Sequence, residues 1–307
     1  MWPRCLHRAD YEQVLGTFLS LQIGARSRAE AAEAEKRLWD EVERLSNLLH
    51  PFDPSSELNR WQSGTQPLHL SPELQDVLAL ARTYQAVTGG AFHPGVVRLG
   101  ELWDEAAATA AEPDPLLLQA ECSRLQAPYA VSSELGTRPP PYRLNLSAVA
   151  KGYIVDRAVL AAVQSPGVSE AWVNIGGDLR HLGRGSCTAG VAHPAQPGEN
   201  PQYLVTLRGQ ALASSGHQQR GRRVAGRWHS HVIDPRTGRC AAAVAGASVL
   251  AHCCAAADAL ATALSALSLS EGLELCRRER VAALIFLPGG QVRATDCWPA
   301  RRTRQTA

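Results

Sequence analysis

The chain has 307 residues, of which 45% are hydrophobic and 20% charged, as in globular proteins with one large domain or two closely packed ones. A net charge of +2 is too small to favour nucleic acid or an anionic membrane as the partner. The eight cysteines lack CxxC spacing, which argues against a disulfide scaffold or a zinc site and favours a reducing compartment.

The first ten residues carry charges and a proline where a secretory leader needs an apolar run. No segment is long and apolar enough to predict a transmembrane helix. We therefore expect a cytoplasmic protein, or a periplasmic one if the start is truncated. Residues 1–11 are expected to form an N-terminal extension, 12–295 the domain, and 296–307 a solvated basic tail.

Clear local signals mark the elements of the first half. Alternating apolar residues over 12–24 predict a strand or hairpin, and a capping box followed by an apolar stripe predicts a helix over 27–50. Residues 52–58 are rich in turn formers and predict a loop, whereas Ser-Pro at the start of 71–88 predicts a second helix. The stretch 101–143 is Ala-rich and broken by prolines, so it is the expected seam or insertion.

Strands predominate in the second half. Residues 144–147 alternate like a strand and lead into a helix over 149–160. Further strands are predicted at 171–175, 203–207, 211–214, 228–233, 244–250 and 281–287, and helices at 255–268 and after Ser270. Because strands outnumber regular βαβ units, we expect an α+β fold in which helices pack on a mixed or antiparallel sheet.

Three polar residues stand out for their chemistry. Asp258 and Thr262 lie four residues apart, so on a helix their oxygens share one face, which suits a hard cation such as Mg²⁺. An Asp near a helix start and a Thr bonded to a carbonyl are equally ordinary, and from these residues alone the ordinary explanation is preferred. Lys151, one of only two lysines, lies near a predicted helix start, where a cation suits the binding of an anion.

Five segments, taken in order, resemble motifs of the ApbE family, the FAD:protein FMN transferases. They are 144–156 (LNLSAVAKGYIVD), 173–178 (VNIGGD), 213–220 (ASSGHQQR), 231–238 (HVIDPRTG) and 257–264 (ADALATAL), and the resemblance spans roughly residues 12–290. It implies an α+β fold with the FAD site at the seam between two lobes. It also implies transfer of FMN from FAD to a Ser or Thr hydroxyl of a target flavoprotein, with Mg²⁺ as cofactor and AMP as the released product.

The same resemblance assigns roles to individual residues. It implies that Asp258 and Thr262 bind Mg²⁺ through their side chains and Ala148 through its carbonyl, and that His231 is the general base. His229, on the same side of the predicted strand, is the alternative base. The residues implied to contact FAD are Leu15, Phe52, Ala91, Phe92, His93, Asn145, Lys151, Ser215 and Arg220. The Gly-Gly pair of the second motif is explained equally well by a tight turn and by a flavin contact.

Three positions depart from the family's usual pattern. His93 and Asn145 stand where Asp is common, and His217-Gln218 stands where Asp-Tyr or a similar pair is common. We expect these changes to alter flavin affinity or acceptor choice and to leave the chemistry intact. Two alternatives stay open: an FAD pyrophosphatase, in which water replaces the protein hydroxyl, and a non-catalytic FAD-binding protein.

Overall fold

The computed structural model describes residues 5–127, 131–133, 136–194, 201–216, 220–299 and 301–302. Helices and strands alternate irregularly along these residues. In chain order the elements are β1 (Cys5–Val14), β2 (Thr17–Ala25), α1 (Arg28–Leu49), α2 (Glu57–Ser63), α3 (Pro72–Val87), α4 (Val97–Thr109), α5 (Pro115–Arg124), β3 (Val131–Ser133), β4 (Gly136–Arg138), α6 (Ser147–Val163), β5 (Val168–Ile175), β6 (Asp178–Gly183), β7 (Cys187–Val191), β8 (Tyr203–Leu207), β9 (Ala211–Gly216), β10 (Gly221–Val224), β11 (Arg227–Ser230), β12 (Gly246–Ala251), α7 (Cys254–Ala266), α8 (Leu269–Glu279), β13 (Ala282–Phe286), β14 (Val292–Ala294) and β15 (Arg301–Arg302).

A large antiparallel sheet forms the centre of the fold. Its eight strands follow the order β1-β2-β5-β6-β9-β12-β13-β14, and every neighbouring pair runs antiparallel. Because helices and strands do not alternate in regular βαβ units, the predicted α+β class is confirmed.

Apolar side chains cover both faces of the sheet. On one face α6 packs on β5 and β6, and α7 packs on β9 and β12, with α1 lying against α6. On the other face a smaller sheet, β15-β8-β7, covers a second core that includes Leu179, Val205, Leu207 and Phe286. None of the described helices combines the length and the apolarity needed to cross a bilayer.

Helix α1 follows the sequence prediction closely. The Ser27 side chain accepts the Glu30 backbone N–H at 3.3 Å, which satisfies one of the free donors at the helix start. The predicted apolar stripe is the buried face of the helix: Ala31, Ala34, Leu38, Val42, Leu45 and Leu49. Local capping and 3.6-residue periodicity therefore define this element without tertiary information.

Other segments differ from the predictions. The strand predicted over 144–147 is absent: Leu144 and Leu146 are buried, but their segment is irregular and has no partner strand before α6 begins. The stretch 101–143, predicted to be less regular, contains α5 and most of α4, and residues 5–11 belong to β1. The opening segment, predicted to be a strand or a hairpin, is a hairpin whose turn contains Leu15.

Candidate active site

The N-terminus of α7 is capped by a carboxylate from another helix. Asp156 of α6 accepts the backbone N–H of Cys254 at 2.8 Å and that of Ala255 at 3.1 Å. Its Oδ1 also accepts a hydrogen bond from Arg180 of β6 at 2.5 Å. Since Cys253, the residue before α7, makes no side-chain cap, Asp156 supplies the missing acceptor and fixes α7 relative to α6 and β6.

Gly152 allows α6 and α7 to lie very close together. A Cβ added at this glycine would lie 2.5 Å from the carbonyl oxygen of Cys254 and 2.7 Å from the Cα of Ala255. Both are backbone atoms, which cannot move aside as a flexible side chain can. The close approach brings residues near the start of α6 against the first turns of α7.

Three charged side chains meet where α6, β6 and α7 pack together. Lys151 of α6 pairs through Nζ with Oδ2 of Asp178, which is fully buried at the start of β6, and Asp258 of α7 is 6% exposed. Burial raises the pKa of Asp178, although the Lys151 charge opposes this shift. Burial and the nearby Asp178 charge raise the pKa of Asp258 well above its usual value.

The Lys151 charge responds to both carboxylates. Burial alone would lower the pKa of Lys151, but the charges of Asp178 and Asp258 outweigh it, so the pKa stands above its usual value. The ammonium therefore stays protonated at neutral pH. With both carboxylates ionised the cluster would carry one more negative than positive charge, and burying an uncompensated charge is costly.

The cluster has the chemistry of a hard-cation site. Oδ2 of Asp258 is buried and has no hydrogen-bond partner within the described part of the chain. Thr262, one turn further along α7, and Ala148, in the first turn of α6, are both half-buried. The Gly152 N–H, which in a regular helix would donate to the Ala148 carbonyl, interacts with Asp258 and favours its ionised form. A carboxylate, a hydroxyl and a backbone carbonyl are oxygen ligands of the kind that Mg²⁺ takes, so these three residues fit the predicted ligand set in their chemistry.

No three His, Cys, Asp or Glu side chains converge as a metal-binding group among the described residues. A cation held at Asp258 would therefore depend on hydroxyl and carbonyl oxygens as well, which is what the ligand set predicted from the sequence contains.

The turn before β6 brings the opening hairpin to the same end of the sheet. Gly176 and Gly177 have φ values of 58° and 96°, so the tight-turn explanation of this pair holds, and a flavin contact remains a prediction. The Gly176 N–H donates to the Phe18 carbonyl at 3.1 Å, which sets this turn beside the β1–β2 turn that contains Leu15. Leu15 thus lies at the end of the sheet where Asp178 begins β6.

The loop that contains Ala91, Phe92 and His93 is buried and firmly bonded. The His93 ring contacts the Leu125 carbonyl through Nε2 at 3.1 Å, and Nδ1 accepts the Gly95 N–H at 2.9 Å. Because a carbonyl only accepts, Nε2 carries the proton and the ring is neutral. Burial lowers the pKa of His93 to about 4. These bonds give the ring a structural role, and its contact with FAD remains a prediction.

Asn145 joins this loop to α6. Its N–H donates to the Pro94 carbonyl at 2.8 Å, and its Oδ1 accepts the Ser147 N–H at 2.9 Å. The amide side chain thus occupies a free donor at the start of α6. Asn145 therefore fixes the position of the first helical turn, where Ala148 lies and which Lys151 directly follows.

His231 follows β11 and is held by a backbone carbonyl. Its Nδ1 lies 2.9 Å from the Arg220 carbonyl oxygen, and its backbone N–H donates to the same oxygen at 3.2 Å. Nδ1 therefore carries the proton, which leaves a lone pair on Nε2. Partial burial lowers the pKa of His231, and the charges of Arg220 and Arg222 lower it further, although the carbonyl bond opposes this. The residue retains an exposed surface.

Helix α4 anchors the segment that contains His231. The Trp103 ring stacks against His229 with centroids 4.7 Å apart, and its Nε1–H donates to the Gly238 carbonyl at 2.8 Å. Arg222 of β10 donates to the Gly100 carbonyl at 2.9 Å and pairs with Asp104 at 3.1 Å. The stacking gives His229 a packing role, so His231 is the better placed of the two histidines to act as a base.

The remaining predicted residues lie on other elements. Phe52 is 77% exposed beside His50, with ring centroids 6.3 Å apart. The Ser215 carbonyl accepts from Ser265 of α7 at 3.4 Å, and the Arg220 side chain is exposed. His217-Gln218 lies outside the described residues. Within the described part of the chain, no hydrogen bond or ion pair joins Phe52 or His231 to the Lys151–Asp178–Asp258 cluster.

Sequence reasoning overlooked Asp178. It ends the VNIGGD motif, and its only local signal is a carboxylate that directly follows a tight turn between two apolar strands. Such a position is expected to be buried, and a buried Asp needs a partner, which here is Lys151.

Comparisons with known proteins identify the family and the fold. The model of the ApbE family matches residues 15–285. The chain belongs to the ApbE family. A protein of Treponema pallidum named FAD:protein FMN transferase is 27% identical over 310 residues, which cover 92% of this chain and 85% of that protein. A Rhodobacter capsulatus protein of the same name is 31% identical over 82% of this chain and 50% of that protein. In the crystal structure of apo Pseudomonas stutzeri flavinyl transferase ApbE the same fold recurs, with a TM-score of 0.80, 19% identity and 96% of each chain covered.

Proposed function

We propose that this protein is an Mg²⁺-dependent FAD:protein FMN transferase that attaches FMN to a Ser or Thr hydroxyl of a target flavoprotein through a phosphoester bond and releases AMP. Membership of the ApbE family and the names of its relatives support the reaction class. The observation that carries the cation requirement is the buried Asp258 carboxylate, whose Oδ2 has no hydrogen-bond partner in the described structure and which lies in a cluster that is short of one positive charge when both carboxylates are ionised.

The reaction is a phosphoryl transfer from the pyrophosphate of FAD to the acceptor hydroxyl. The acceptor oxygen forms a bond to the phosphorus on the FMN side of FAD, and the bond from that phosphorus to the bridging oxygen breaks, so that AMP leaves with the bridging oxygen. The acceptor proton must be removed as the new bond forms. In the proposal Nε2 of His231 takes this proton, since hydrogen bonding fixes the proton of the neutral ring on Nδ1 and the lowered pKa keeps the ring neutral.

The chain's residues fit the predicted cation. Asp258 and Thr262 would hold Mg²⁺ through side-chain oxygens and Ala148 through its carbonyl, and Mg²⁺, when bound, would neutralise negative charge on the pyrophosphate. Lys151 adds a permanent positive charge near the same point, and its ammonium is suited to binding a phosphate oxygen. Leu15, Phe52, Ala91, Phe92, His93, Asn145, Ser215 and Arg220 are proposed to complete the FAD site.

One experiment tests the proposal. The protein is incubated with FAD, Mg²⁺ and a candidate flavoprotein subunit, and AMP release is followed together with covalent flavin fluorescence on the subunit. We expect both products in equal amounts, and neither after chelation of the cation. AMP without labelled subunit would replace the transferase with the pyrophosphatase, and retained FAD without either product would replace it with a binding protein. A subunit whose acceptor residue is changed to Ala provides the control.

A further inference from the structure

Lys151 forms an ion pair with only one of the two buried carboxylates near it. Its Nζ pairs with Oδ2 of Asp178, whereas Oδ2 of Asp258 has no hydrogen-bond partner in the described part of the chain. Asp258 is nevertheless close enough to act on the Lys151 charge, and when protonated it is close enough to donate a hydrogen bond to Asp178. The only ammonium in the cluster is therefore held by the carboxylate that is not a predicted ligand.

The position of Asp178 is rigid. It is fully buried at the first position of β6, where the backbone is set by the Gly176-Gly177 turn and by pairing with Ile175 across the hairpin. Lys151 is less constrained, because its side chain is flexible and 29% exposed. Of the two partners, Asp178 determines where the ammonium lies.

Without Asp178, the ammonium would turn to the other carboxylate. A lysine ammonium is a compact cation with three donors, and a buried carboxylate oxygen without a partner is a favourable acceptor for it. Lys151 paired with Asp258 would occupy the oxygen that a divalent cation needs. Asp178 would prevent this competition by offering the ammonium a nearer and more rigid partner.

We propose that Asp178 is a positioning residue that holds Lys151 away from Asp258 and so keeps Oδ2 of Asp258 available to a divalent cation. This role rests on the cation site of the proposed function but not on the transfer reaction. In this role Asp178 is not itself a cation ligand. Lys151 would inhibit cation binding if its ammonium moved to Asp258.

Titration of the full-length protein with Mn²⁺, followed by electron paramagnetic resonance of the free ion, tests this role. We expect Asp178→Asn to weaken Mn²⁺ binding at least about tenfold, as outer-shell substitutions at metal sites do. Adding Lys151→Met to Asp178→Asn removes the competing ammonium and is expected to restore binding to the wild-type level. Lys36→Met, which replaces the only other lysine at an exposed position of α1, serves as the control and should change nothing.

Other outcomes overturn the role. Failure of the double variant to recover Mn²⁺ binding would mean that Asp178 is itself a ligand or acts through packing, and unchanged binding in Asp178→Asn would also refute the proposal. If Asp178→Asn does not fold, Lys151→Met alone decides: binding equal to or tighter than wild type supports the role, and weaker binding refutes it. If the wild type binds Mn²⁺ and the variants show this rescue, but the wild type transfers no FMN, only the proposed reaction is refuted.

Discussion

The Asp156 carboxylate of α6 accepts the backbone N–H of Cys254, the first residue of α7, at 2.8 Å. Asp258 lies one turn further along α7, and Lys151 lies little more than one turn before Asp156 on α6. One hydrogen-bonded contact therefore fixes both halves of the charged cluster relative to each other. This contact joins two helices directly, which favours a preorganised site.

Gly152→Ala should separate these two helices. The added Cβ would lie 2.5 Å from the Cys254 carbonyl oxygen, so the backbones must move apart, and we expect a loss of about 1–3 kcal/mol in the free energy of unfolding. Urea denaturation measures the loss, and a parallel Mn²⁺ titration should show weaker binding. Gly100→Ala is the matched control, because its Cβ would meet nothing within 4 Å and a helical Gly→Ala change should stabilise by about 0.5–1 kcal/mol.

Asp258→Asn should remove cation-dependent turnover. The amide keeps the shape of the side chain but cannot supply the negative charge that Mg²⁺ requires, so we expect AMP release to fall by more than about 100-fold at any Mg²⁺ concentration. Asp40→Asn, at an exposed position of α1, controls for the loss of a carboxylate elsewhere. Turnover near the wild-type rate in Asp258→Asn would refute the ligand assignment.

The same carboxylate predicts a pH effect on stability without a divalent cation. The folded-state pKa of Asp258 stands well above its ordinary value of 3.8, so above that pH the folded chain binds more protons than the unfolded one. This contribution to the free energy of unfolding is therefore lost as pH rises through the folded-state pKa, and the loss should be absent in Asp258→Asn. Thermal unfolding of both proteins in chelator between pH 5 and about pH 8 checks the sign.

His231 should set the acid limb of the rate profile. In the proposed function its neutral form is the base, and its pKa is lowered from 6.5, so turnover should fall only when the pH drops below 6.5. His231→Ala should reduce turnover by about 10²–10⁴-fold and leave FAD affinity largely intact, since a base mainly affects the transition state. His69→Ala, at an exposed position, is the control. An acid limb retained in His231→Ala would refute this assignment.

Trp103→Phe should disturb the His231 segment without removing the ring that stacks on His229. The Gly238 carbonyl loses its 2.8 Å donor, which should cost about 1–3 kcal/mol of stability and lower kcat by up to about 100-fold while KM for FAD changes little. Trp61→Phe is a matched control: it also loses a buried indole bond, 2.9 Å to the Thr137 carbonyl. It should destabilise the protein to a similar extent and leave kcat unchanged; an equal fall in kcat would show that the effect is one of stability alone.

Elements with strong local signals were predictable from the sequence. The capping serine of α1 and the Ser-Pro start of α3 specify their helices, because capping and periodicity act within one element. The 144–147 segment was wrongly predicted because its alternation reflects burial of Leu144 and Leu146 under other elements and not pairing in a sheet. Strands β7 and β10 were missed because they are only five and four residues long and contain few large apolar side chains, although each pairs with the next strand in the chain.

The candidate site was only partly predictable for a similar reason. Asp258 and Thr262 lie on one helix, so their spacing could be read directly from the sequence. Asp178 joins them only because β6 packs against α6 and α7, a relationship that no sequence spacing encodes. The two hydrogen bonds of the His93 ring, to Leu125 and Gly95, could not be predicted from the sequence either, since Leu125 lies in a stretch predicted to be a seam or insertion.

Helix α7 has little room for change. Between Cys254 and Ala263 every position except Thr262 is buried, and six of these residues are alanines that allow α6, β9 and β12 to approach closely. Any larger side chain would force these elements apart and widen the space around Asp258. Directed evolution of acceptor specificity should therefore leave α7 unchanged. It should instead vary exposed loops such as the one that carries Phe52, where substitution does not disturb the packing around the charged cluster.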